Sequence, residues 1–318
     1  MEYLPLVSII IPVYNGSNFL REAIDSALDQ TYKNIEIIVV NDGSSDNGAT
    51  ESIALSYEDR VRYYKKDNGG VSSALNLGLK QMRGDYFSWL SHDDKYTSEK
   101  IQKEIELLAA YTNKKVVAYC GSQLIDKDSK ALAYRHLHTS LSEVQLNTWQ
   151  EALKLLFVEG TYNGCAFLIP RAAFDSTGWF DEDLRFNQDA LMWAKLFLNE
   201  YGIVYTSYIG VLSRVHNAQL TQRGQDIFHR DCCRMSDFLV HELLKIKSTQ
   251  DNFLYYYAMN NAKYQNKEIV EKCLCAANCK RLFSCRQIMS IYGMSAYGCI
   301  RPLLRKIYHK VFNNISTR

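Results

Sequence analysis

The sequence predicts an α/β protein in which a central sheet is flanked by helices and followed by a helical C-terminal region. Three observations predict this. Over the first hundred residues, short apolar runs that end in turn residues alternate with segments whose apolar residues recur at helical spacing. After residue 110 the alternation weakens into a mixed region of strands and helices. From about Gln222 onward the pattern is mostly helical.

The first strand is predicted in "VSIIIPVYN", a β-branched apolar run. A helix is predicted to follow in "SNFLREAIDSALDQ", where apolar residues recur at helical spacing. "NIEIIVVNDGSSD" repeats this scheme, with a Ser or Asp expected to cap the next helix. "VRYYKKDNGGVSSALNLGLKQM" and "GDYFSWLSHDD" extend the alternation to β-α-β-α-β-α-β. This order predicts a parallel sheet with helices on both faces.

The second part of the sheet is predicted in three apolar stretches that follow a helix over residues 98–110. They are "KVVAYCGSQLI", "GCAFLIP" and "IVYTSYIGVLSRVH", and a helix from about Asp189 to Asn199 separates the last two. No glycine-rich linker marks a separate domain before the helical end.

Composition favours a folded interior, because 47% of the 318 residues are apolar and only 4 are Pro. Through Glu271 the chain carries 28 basic and 35 acidic residues, a formal charge of −7, and nine basic residues follow. No run approaches the roughly 18 apolar residues of a membrane span. The chain has nine Cys, and its start, "MEYLPLVSIIIPV", lacks the basic region and the small-residue cleavage site of a secretory signal. We therefore expect free thiols in a reducing cytoplasm.

Several polar side chains fall where ligands bind in such sheets, at the carboxyl ends of the strands. Asp42 follows the second strand and could accept a hydrogen bond from the imide nitrogen of uracil or thymine, while the ring of Tyr14 could stack on the base. The alternatives are an Asx-turn for Asp42 and a turn cap for Asp67. The Gly-Gly turn in "DNGGVSSALNLGL" could present helix amides to an anion, or be an ordinary helix entry.

Asp93 and Asp94 stand side by side directly after an apolar strand. Adjacent carboxylates repel each other, so the pair either faces water or holds a cation. A hard divalent cation binds through one or two carboxylates together with substrate phosphate oxygens. If the ligand is a diphosphate, one acid would hold the metal and its neighbour could accept hydrogen bonds from ribose hydroxyls.

Taken together, "VSIIIPVYNGSNFLREAIDSALDQTYKNIEIIVVNDGSSD", "NGGVSSALNLGL" and "GDYFSWLSHDD" resemble the opening of glycosyltransferase family 2 enzymes, which have the GT-A fold. The resemblance implies that Tyr14 and Asp42 enclose the base, that Asp93 lies near the ribose, and that Asp94 binds Mn²⁺ or Mg²⁺ on the diphosphate. His92, where many relatives have an acid or a small residue, is expected to pack or to hydrogen-bond. The implied nucleotide-sugar-binding residues are Pro12, Tyr14, Asp42, Asp67, Asn68, Gly70, Asn76 and Asp93.

The acceptor side is carried by "STGWFDEDLRFNQDALMWAKL", which is similar to the family segment whose acid before a helix is the catalytic base. The matching position is Asp189, and Gln188 replaces the usual preceding Glu. Asp189 could also cap the helix. "LSRVHNAQLT" resembles a late Arg-x-His element, which makes His216 a metal ligand or else a core histidine. The other implied acceptor-side residues are Asn163, Gly164, Cys165 and Trp179.

The resemblance implies an inverting, metal-assisted transfer of a hexosyl or N-acetylhexosaminyl group, with a UDP-sugar as the favoured donor. The acceptor would be a hydroxyl of a glycan or lipid-linked saccharide in cell-surface polysaccharide synthesis. Residues 1–220 would form the catalytic domain, with a donor half to about 110 and an acceptor half after it. A noncatalytic nucleotide-sugar or glycan-binding protein is the alternative, whereas adjacent aspartates do not suit a glycoside hydrolase.

The basic end, residues 221–318, is predicted to be helical. "CIRPLLRKIYHKVFNNI" places apolar residues on one face and basic residues elsewhere, which suits either an anionic membrane surface or packing on the enzyme or a second subunit. The membrane alternative would place the protein on the inner face of the cytoplasmic membrane. Nucleic acid is not expected as a partner, because no recognition motif accompanies the basic residues. Cys273, Cys275, Cys279 and Cys285 match no common zinc spacing.

Overall fold

One mixed sheet organises the computed structural model, which describes residues 4–111, 115–138, 140–160, 162–216, 225–246, 252–280, 282–284 and 286–296. Its strands in these residues are β1 (Val7–Val13), β2 (Ile35–Asp42), β3 (Arg62–Lys66), β4 (Tyr86–Trp89), β5 (Lys95–Tyr96), β6 (Val116–Ile125), β7 (Ala131–His136), β8 (Leu146–Asn147), β9 (Phe167–Pro170) and β10 (Gly202–Arg214). The order across the sheet is β3-β2-β1-β4-β9-β6-β10-β5, with β7 beside β6 and β8 beside β10.

The helices alternate with the first strands as predicted. They are α1 (Leu20–Leu28), α2 (Ala49–Leu55), α3 (Val71–Gln81), α4 (Lys100–Ala109), α5 (Trp149–Glu159), α6 (Ala173–Thr177), α7 (Gln188–Leu198), α8 (Gln225–Leu243), α9 (Phe253–Lys263) and α10 (Lys267–Lys280). Residues 286–296 are also helical. The expected Ser or Asp cap of α2 is supplied by Asp46, which accepts a hydrogen bond from the first-turn backbone nitrogen of Thr50, although the residue directly before the helix is Gly48 at φ 82.

The first four strands of the alternation are parallel, which confirms the predicted sheet. β1 pairs with β2 (Val7 opposite Ile35) and with β4 (Val7 opposite Tyr86), and β2 pairs with β3. All seven β1 residues are buried, as expected for a strand covered on both faces. Parallel strands end at one edge, so the polar residues after β1, β2, β3 and β4 gather there.

The strand β9 breaks the parallel pattern and positions the acceptor side. It runs antiparallel between β4 and β6, with Phe87 opposite Ile169 and Ala118 opposite Leu168. Because the two strands run in opposite directions, the start of β9 lies beside the end of β4. The segment just before β9, Asn163–Ala166, therefore lies near the residues that follow Trp89.

The pairing of β10 brings a second distant segment to the same place. β10 runs antiparallel to β5, with Leu212 opposite Lys95, and parallel to β6. This register sets Arg214, at the end of β10, beside the aspartates that precede β5. The two aspartates are thus approached from β9 and from β10.

The chain divides into two compact units, residues 1–152 with 161–231, and residues 153–160 with 232–318. The first contains all the described strands, and the second is helical where it is described. The predicted domain boundary at residue 220 and the predicted basic helix over residues 299–315 lie outside the described residues. None of the described helices has the length and apolar character needed to cross a membrane. The described cysteines, seven of the nine, form no disulfide.

Candidate active site

The acidic turn, residues 90–95 between Trp89 of β4 and Tyr96 of β5, carries the paired aspartates. Asp94 is buried, and its Oδ1 accepts a hydrogen bond of 2.8 Å from the backbone nitrogen of Arg214. The Cys165 thiol donates to Oδ2 over 3.5 Å. Burial, and next the charge of Asp93, raise the pKa of Asp94 to about 7, against the lowering effect of these donors.

Arg214 fixes this turn with a side chain that is fully buried. Its Nε donates to the Asp93 carbonyl oxygen (2.8 Å), and its Nη2 contacts Glu22 Oε2 (3.1 Å). Its Nη1 donates to the carbonyl oxygens of Asp126 and Lys127, both at 3.1 Å. One guanidinium therefore joins the acidic turn to α1 and to the turn after β6. The planar fork of arginine allows this, and a lysine could not reproduce it.

The two histidines beside the turn have different surroundings. His216 Nε2 lies 3.0 Å from Asp93 Oδ2, so the predicted ligand stands at the acidic pair. His92 packs against Gly16, where a Cβ would lie 2.4 Å from the His92 ring. Burial lowers the pKa of His92. These contacts agree with a packing role for His92.

The acidic turn suits a divalent cation. Asp93 and Asp94 are adjacent in the turn, His216 Nε2 lies 3.0 Å from Asp93 Oδ2, and oxygen donors with one imidazole suit Mn²⁺ or Mg²⁺. The raised pKa of Asp94 reflects its burial first and the neighbouring charge of Asp93 next. A bound cation would offset that neighbouring negative charge. The assignment of the individual ligands stays a prediction.

Asp42, the predicted base-binding residue, is buried at the end of β2. Its Oδ1 accepts hydrogen bonds from Lys66 Nζ and the Gly69 nitrogen, both 2.9 Å, and its Oδ2 accepts one of 2.7 Å from the Gly70 nitrogen. The Gly-Gly turn therefore points its amides at a carboxylate of the protein. Whether Asp42 also meets a base stays a prediction.

The remaining predicted donor residues surround this edge in different ways. Tyr14 is 47% exposed directly after β1, with Pro12 buried before it, and Asp67 is exposed. Asn68 Nδ2 donates to the Asp42 carbonyl oxygen. Asn76 instead joins α3 to the acceptor-side segment, since its amide exchanges hydrogen bonds with the Phe180 backbone.

A cavity of about 320 Å³ lies between the two predicted halves of the site. Five predicted residues line it together: Asp94, Asn163, Gly164, Cys165 and Asp189. The sequence analysis missed the six other lining residues, Trp89, Ser91, Ser122, Leu124, Tyr134 and Tyr162. The cavity thus brings the predicted metal ligand and the predicted base to one space.

Asp189 is the second residue of α7 and not its N-cap, which is Asn187 at φ 58. Its Oδ1 accepts a hydrogen bond of 2.8 Å from the next backbone nitrogen, that of Ala190. Burial raises the pKa of Asp189, and among the described residues only backbone amides, and no cationic group, act to lower it. A carboxylate in such a setting binds a proton more readily than an exposed one, which suits a general base.

The glycine-containing loop is shaped by a tryptophan. A Cβ on Gly164 would lie 2.8 Å from the Trp89 ring, so the loop backbone packs directly on that ring. Asn163 fixes the loop by accepting from the Cys165 nitrogen and donating to Ser213 Oγ. Trp179, 47% exposed, and Gln188 do not line the cavity.

Arg185 is a further residue that the sequence analysis missed. Its guanidinium lies over the Gly-Gly turn, where a Cβ on Gly70 would be 2.2 Å from Nη1. The buried Asp231 carboxylate holds this segment by accepting from the backbone nitrogens of Arg185 and Phe186. A cation from the acceptor-side segment thus reaches the donor edge. A single Arg four residues before Asp189 was its only signal in the sequence.

Comparison with protein families finds that residues 8–178 match "Glycosyl transferase family 2". The chain is 41% identical over 321 residues to an uncharacterised glycosyltransferase of Rickettsia typhi, with 98% of each chain covered. It is 45% identical over 273 residues to a longer uncharacterised glycosyltransferase of Rickettsia felis, covering 83% of this chain and 44% of that one.

Among solved structures, the fold is similar to that of S. aureus TarS 1-349 in complex with UDP-GlcNAc. The TM-score is 0.64 at 17% identity, covering 81% of this chain and 73% of TarS 1-349. The UDP complex of the same protein gives a TM-score of 0.61, with 81% and 71% covered. At this identity the likeness establishes the fold, a GT-A arrangement.

Proposed function

The chain belongs to glycosyl transferase family 2, and from this premise we propose that it moves a sugar from a UDP-sugar to an acceptor hydroxyl with inversion of configuration. The observation that carries the proposal is the shared cavity, which is lined by both Asp94 and Asp189. Asp94, through a bound cation, would stabilise the negatively charged leaving group, and Asp189 would accept the proton of the attacking hydroxyl. A donor bound in this cavity could reach both carboxylates.

Asp189 is proposed as the base. Its carboxylate would accept the proton of the acceptor hydroxyl while that oxygen forms a bond to the anomeric carbon and the bond to the diphosphate oxygen breaks. A single displacement of this kind inverts the anomeric carbon. The raised pKa of Asp189 strengthens it as a proton acceptor.

Asp94, with Asp93 and His216 beside it, is proposed to hold Mn²⁺ or Mg²⁺. When bound, such an ion balances the negative charge that develops on the departing diphosphate. Arg214 keeps the acidic turn in place through its bond to the Asp93 carbonyl oxygen. Arg185, over the Gly-Gly turn, would add a second positive charge near the diphosphate.

Uridine is the proposed base of the donor. Among the described contacts Asp42 Oδ2 accepts a single hydrogen bond, from the Gly70 nitrogen, and so retains a lone pair for an imide N–H. The exposure of the Tyr14 ring, 47% accessible after β1, supports a proposed stacking contact with the base. The UDP and UDP-GlcNAc complexes of TarS, which has a similar fold, support this choice.

A glycan or lipid-linked saccharide of a cell-surface polysaccharide is the proposed acceptor. The residues that line the cavity suit a sugar acceptor. Trp89 and Tyr134 offer aromatic surface beside the hydrogen-bonding groups of Ser122 and Asn163. Tyr134 is 59% exposed and therefore accessible to a ligand that enters from solvent.

The decisive experiment is a donor screen with metal titration. UDP-GlcNAc, UDP-glucose, GDP-mannose and CMP-sialic acid would be incubated with the full chain, candidate acceptors, and Mn²⁺, Mg²⁺ or EDTA, and release of the nucleotide would be followed. We expect release from a UDP-sugar, dependent on metal, and a product with inverted anomeric configuration by NMR. Tight nucleotide-sugar binding without turnover would favour the noncatalytic alternative, and preference for GDP-mannose would overturn the uridine assignment.

A further inference from the structure

A buried ion pair on α4 is connected to the ends of the acidic turn through Ser88 and Tyr96. Lys100 and Glu104, one helical turn apart on α4, are both fully buried, with Nζ 2.7 Å from Oε2. Burial raises the pKa of Glu104 to about 7, although the Lys100 ammonium opposes this. Replacing a buried ion pair with apolar residues often leaves a protein equally stable or more stable. Stability alone therefore gives little reason for this pair.

The Lys100 ammonium starts a directional set of hydrogen bonds. It donates to Ser88 Oγ over 3.2 Å and lies 4.4 Å from the centre of the Tyr96 ring. The Tyr96 hydroxyl lies 2.8 Å from Ser88 Oγ and 2.6 Å from the Trp89 carbonyl oxygen. Because a carbonyl only accepts, the Tyr96 proton points to Trp89. The single Ser88 hydroxyl proton then has two acceptors within reach, the Tyr96 oxygen at 2.8 Å and the Phe167 carbonyl oxygen at 3.3 Å.

The last bond of this set closes the acidic turn. Trp89 is the last residue of β4, Tyr96 is the last of β5, and residues 90–95 lie between them. The Tyr96 hydroxyl therefore ties the two ends of the segment that carries Asp93 and Asp94. The Tyr96 backbone nitrogen donates to Ser26 Oγ (3.1 Å), which joins the same residue to α1.

We propose that Tyr96, held by the buried Lys100–Glu104 pair, is a positioning residue that sets the affinity of the acidic turn for a divalent cation. This inference rests on the proposed function, because it takes the turn as the metal site. Groups that orient metal ligands through hydrogen bonds typically change metal affinity 10- to 100-fold when removed. Tyr96 acts on the backbone that carries the ligands and does not itself touch the metal.

The test compares Tyr96→Phe with a matched control, Tyr32→Phe. Tyr32 is equally buried, and its hydroxyl also donates to a backbone carbonyl oxygen, that of Pro5, over 2.6 Å. Binding of Mn²⁺ in the presence of UDP would be measured by electron paramagnetic resonance of free Mn²⁺. We expect Tyr96→Phe to lower the affinity for Mn²⁺ about tenfold. Tyr32→Phe should leave this affinity unchanged. Both should lower the midpoint of thermal unfolding by similar amounts.

A second variant separates positioning from stability. Lys100→Met combined with Glu104→Leu replaces the ion pair with apolar groups of similar size, so the unfolding midpoint should stay the same or rise. Mn²⁺ affinity should nevertheless fall about as far as in Tyr96→Phe. Adding Tyr96→Phe to this variant should cause no further loss, because the groups act as one network.

Two outcomes would overturn the inference: Mn²⁺ affinity of Tyr96→Phe equal to that of the unsubstituted protein, or an equal loss in Tyr32→Phe. Failure of the unsubstituted protein to bind Mn²⁺ with UDP is a different result, since it would remove the metal site from the proposed function.

Discussion

The acidic turn and the start of α7 each place a buried carboxylate on the same cavity, but they hold it in opposite ways. Asp94 is contacted by Cys165, just before β9, and by Arg214, at the end of β10, and the segment around it is tied by Arg214 and by Tyr96. Among the described contacts, the Asp189 carboxylate accepts hydrogen bonds only from local backbone amides, its own and that of Ala190. The first carboxylate is fixed and the second is lightly held.

This difference matches two chemical tasks. A carboxylate that holds a cation must keep its oxygens in one geometry, because small displacements weaken coordination and transition-state charge balance. A base needs an oxygen without a competing donor, since each hydrogen bond to the carboxylate lowers its proton affinity. The same residue type would serve both proposed tasks because its surroundings differ.

The largest expected effect comes from Asp189→Asn, which removes the lightly held carboxylate. Transfer should fall about 10²- to 10⁴-fold, as is typical when a positioned base is lost. Binding of UDP with Mn²⁺ should stay unchanged, because the acidic turn is untouched. Asp175→Asn, an exposed carboxylate on α6, is the control and should retain full transfer. Near-normal transfer by Asp189→Asn on its real acceptor would remove Asp189 from the role.

Substituting Arg214, which fixes the acidic turn, should change both the binding of UDP with Mn²⁺ and the stability of the fold. Arg214→Met removes the hydrogen-bond donor of the Asp93, Asp126 and Lys127 carbonyl oxygens together with a fully buried guanidinium, and should lower the free energy of unfolding by about 3 kcal/mol. We also expect UDP with Mn²⁺ to bind at least about tenfold more weakly, measured by calorimetry.

Arg62→Met provides the comparison for this prediction. Arg62 also makes several hydrogen bonds, to Glu36, Gln81 and Tyr64, but it lies on β3 away from the acidic turn. The Arg62→Met substitution should lower the free energy of unfolding without weakening the binding of UDP with Mn²⁺. Equal binding losses in the two variants would mean that Arg214 acts only on overall stability.

The pH dependence of transfer gives a smaller effect that reports on Asp189 itself. Burial raises its pKa above the ordinary value of 3.8, so the base becomes protonated, and inactive, at a higher pH than an exposed aspartate. At saturating donor and metal, the rate should fall about tenfold per pH unit below that pKa. The residual activity of Asp189→Asn should lack this acidic limb. A rate that stays flat down to pH 3.8 would contradict a buried base at this position.

Much of the framework follows from local pattern. The burial of β1 and the alternation through β4 follow from apolar runs and helical spacing, which reflect how each segment meets its immediate surroundings. The same pattern placed Tyr14, Asp42 and Asp94 at the carboxyl edge. The resemblance to glycosyltransferase family 2 was confirmed by the family match and by the similar fold of TarS.

The contacts that complete the site could not be predicted in this way. Cys165 meets Asp94 from 71 residues away and Arg214 meets it from 120 residues away, through the antiparallel insertion of β9 and the register of β10. Arg185 over Gly70 depends on the same long-range arrangement. The sequence by itself determined the strands, the helices and the edge where polar groups gather, because burial periodicity is a local property. Only the tertiary structure decided which carboxylate is fixed and which is lightly held, because that depends on segments brought together by the order of strands in the sheet.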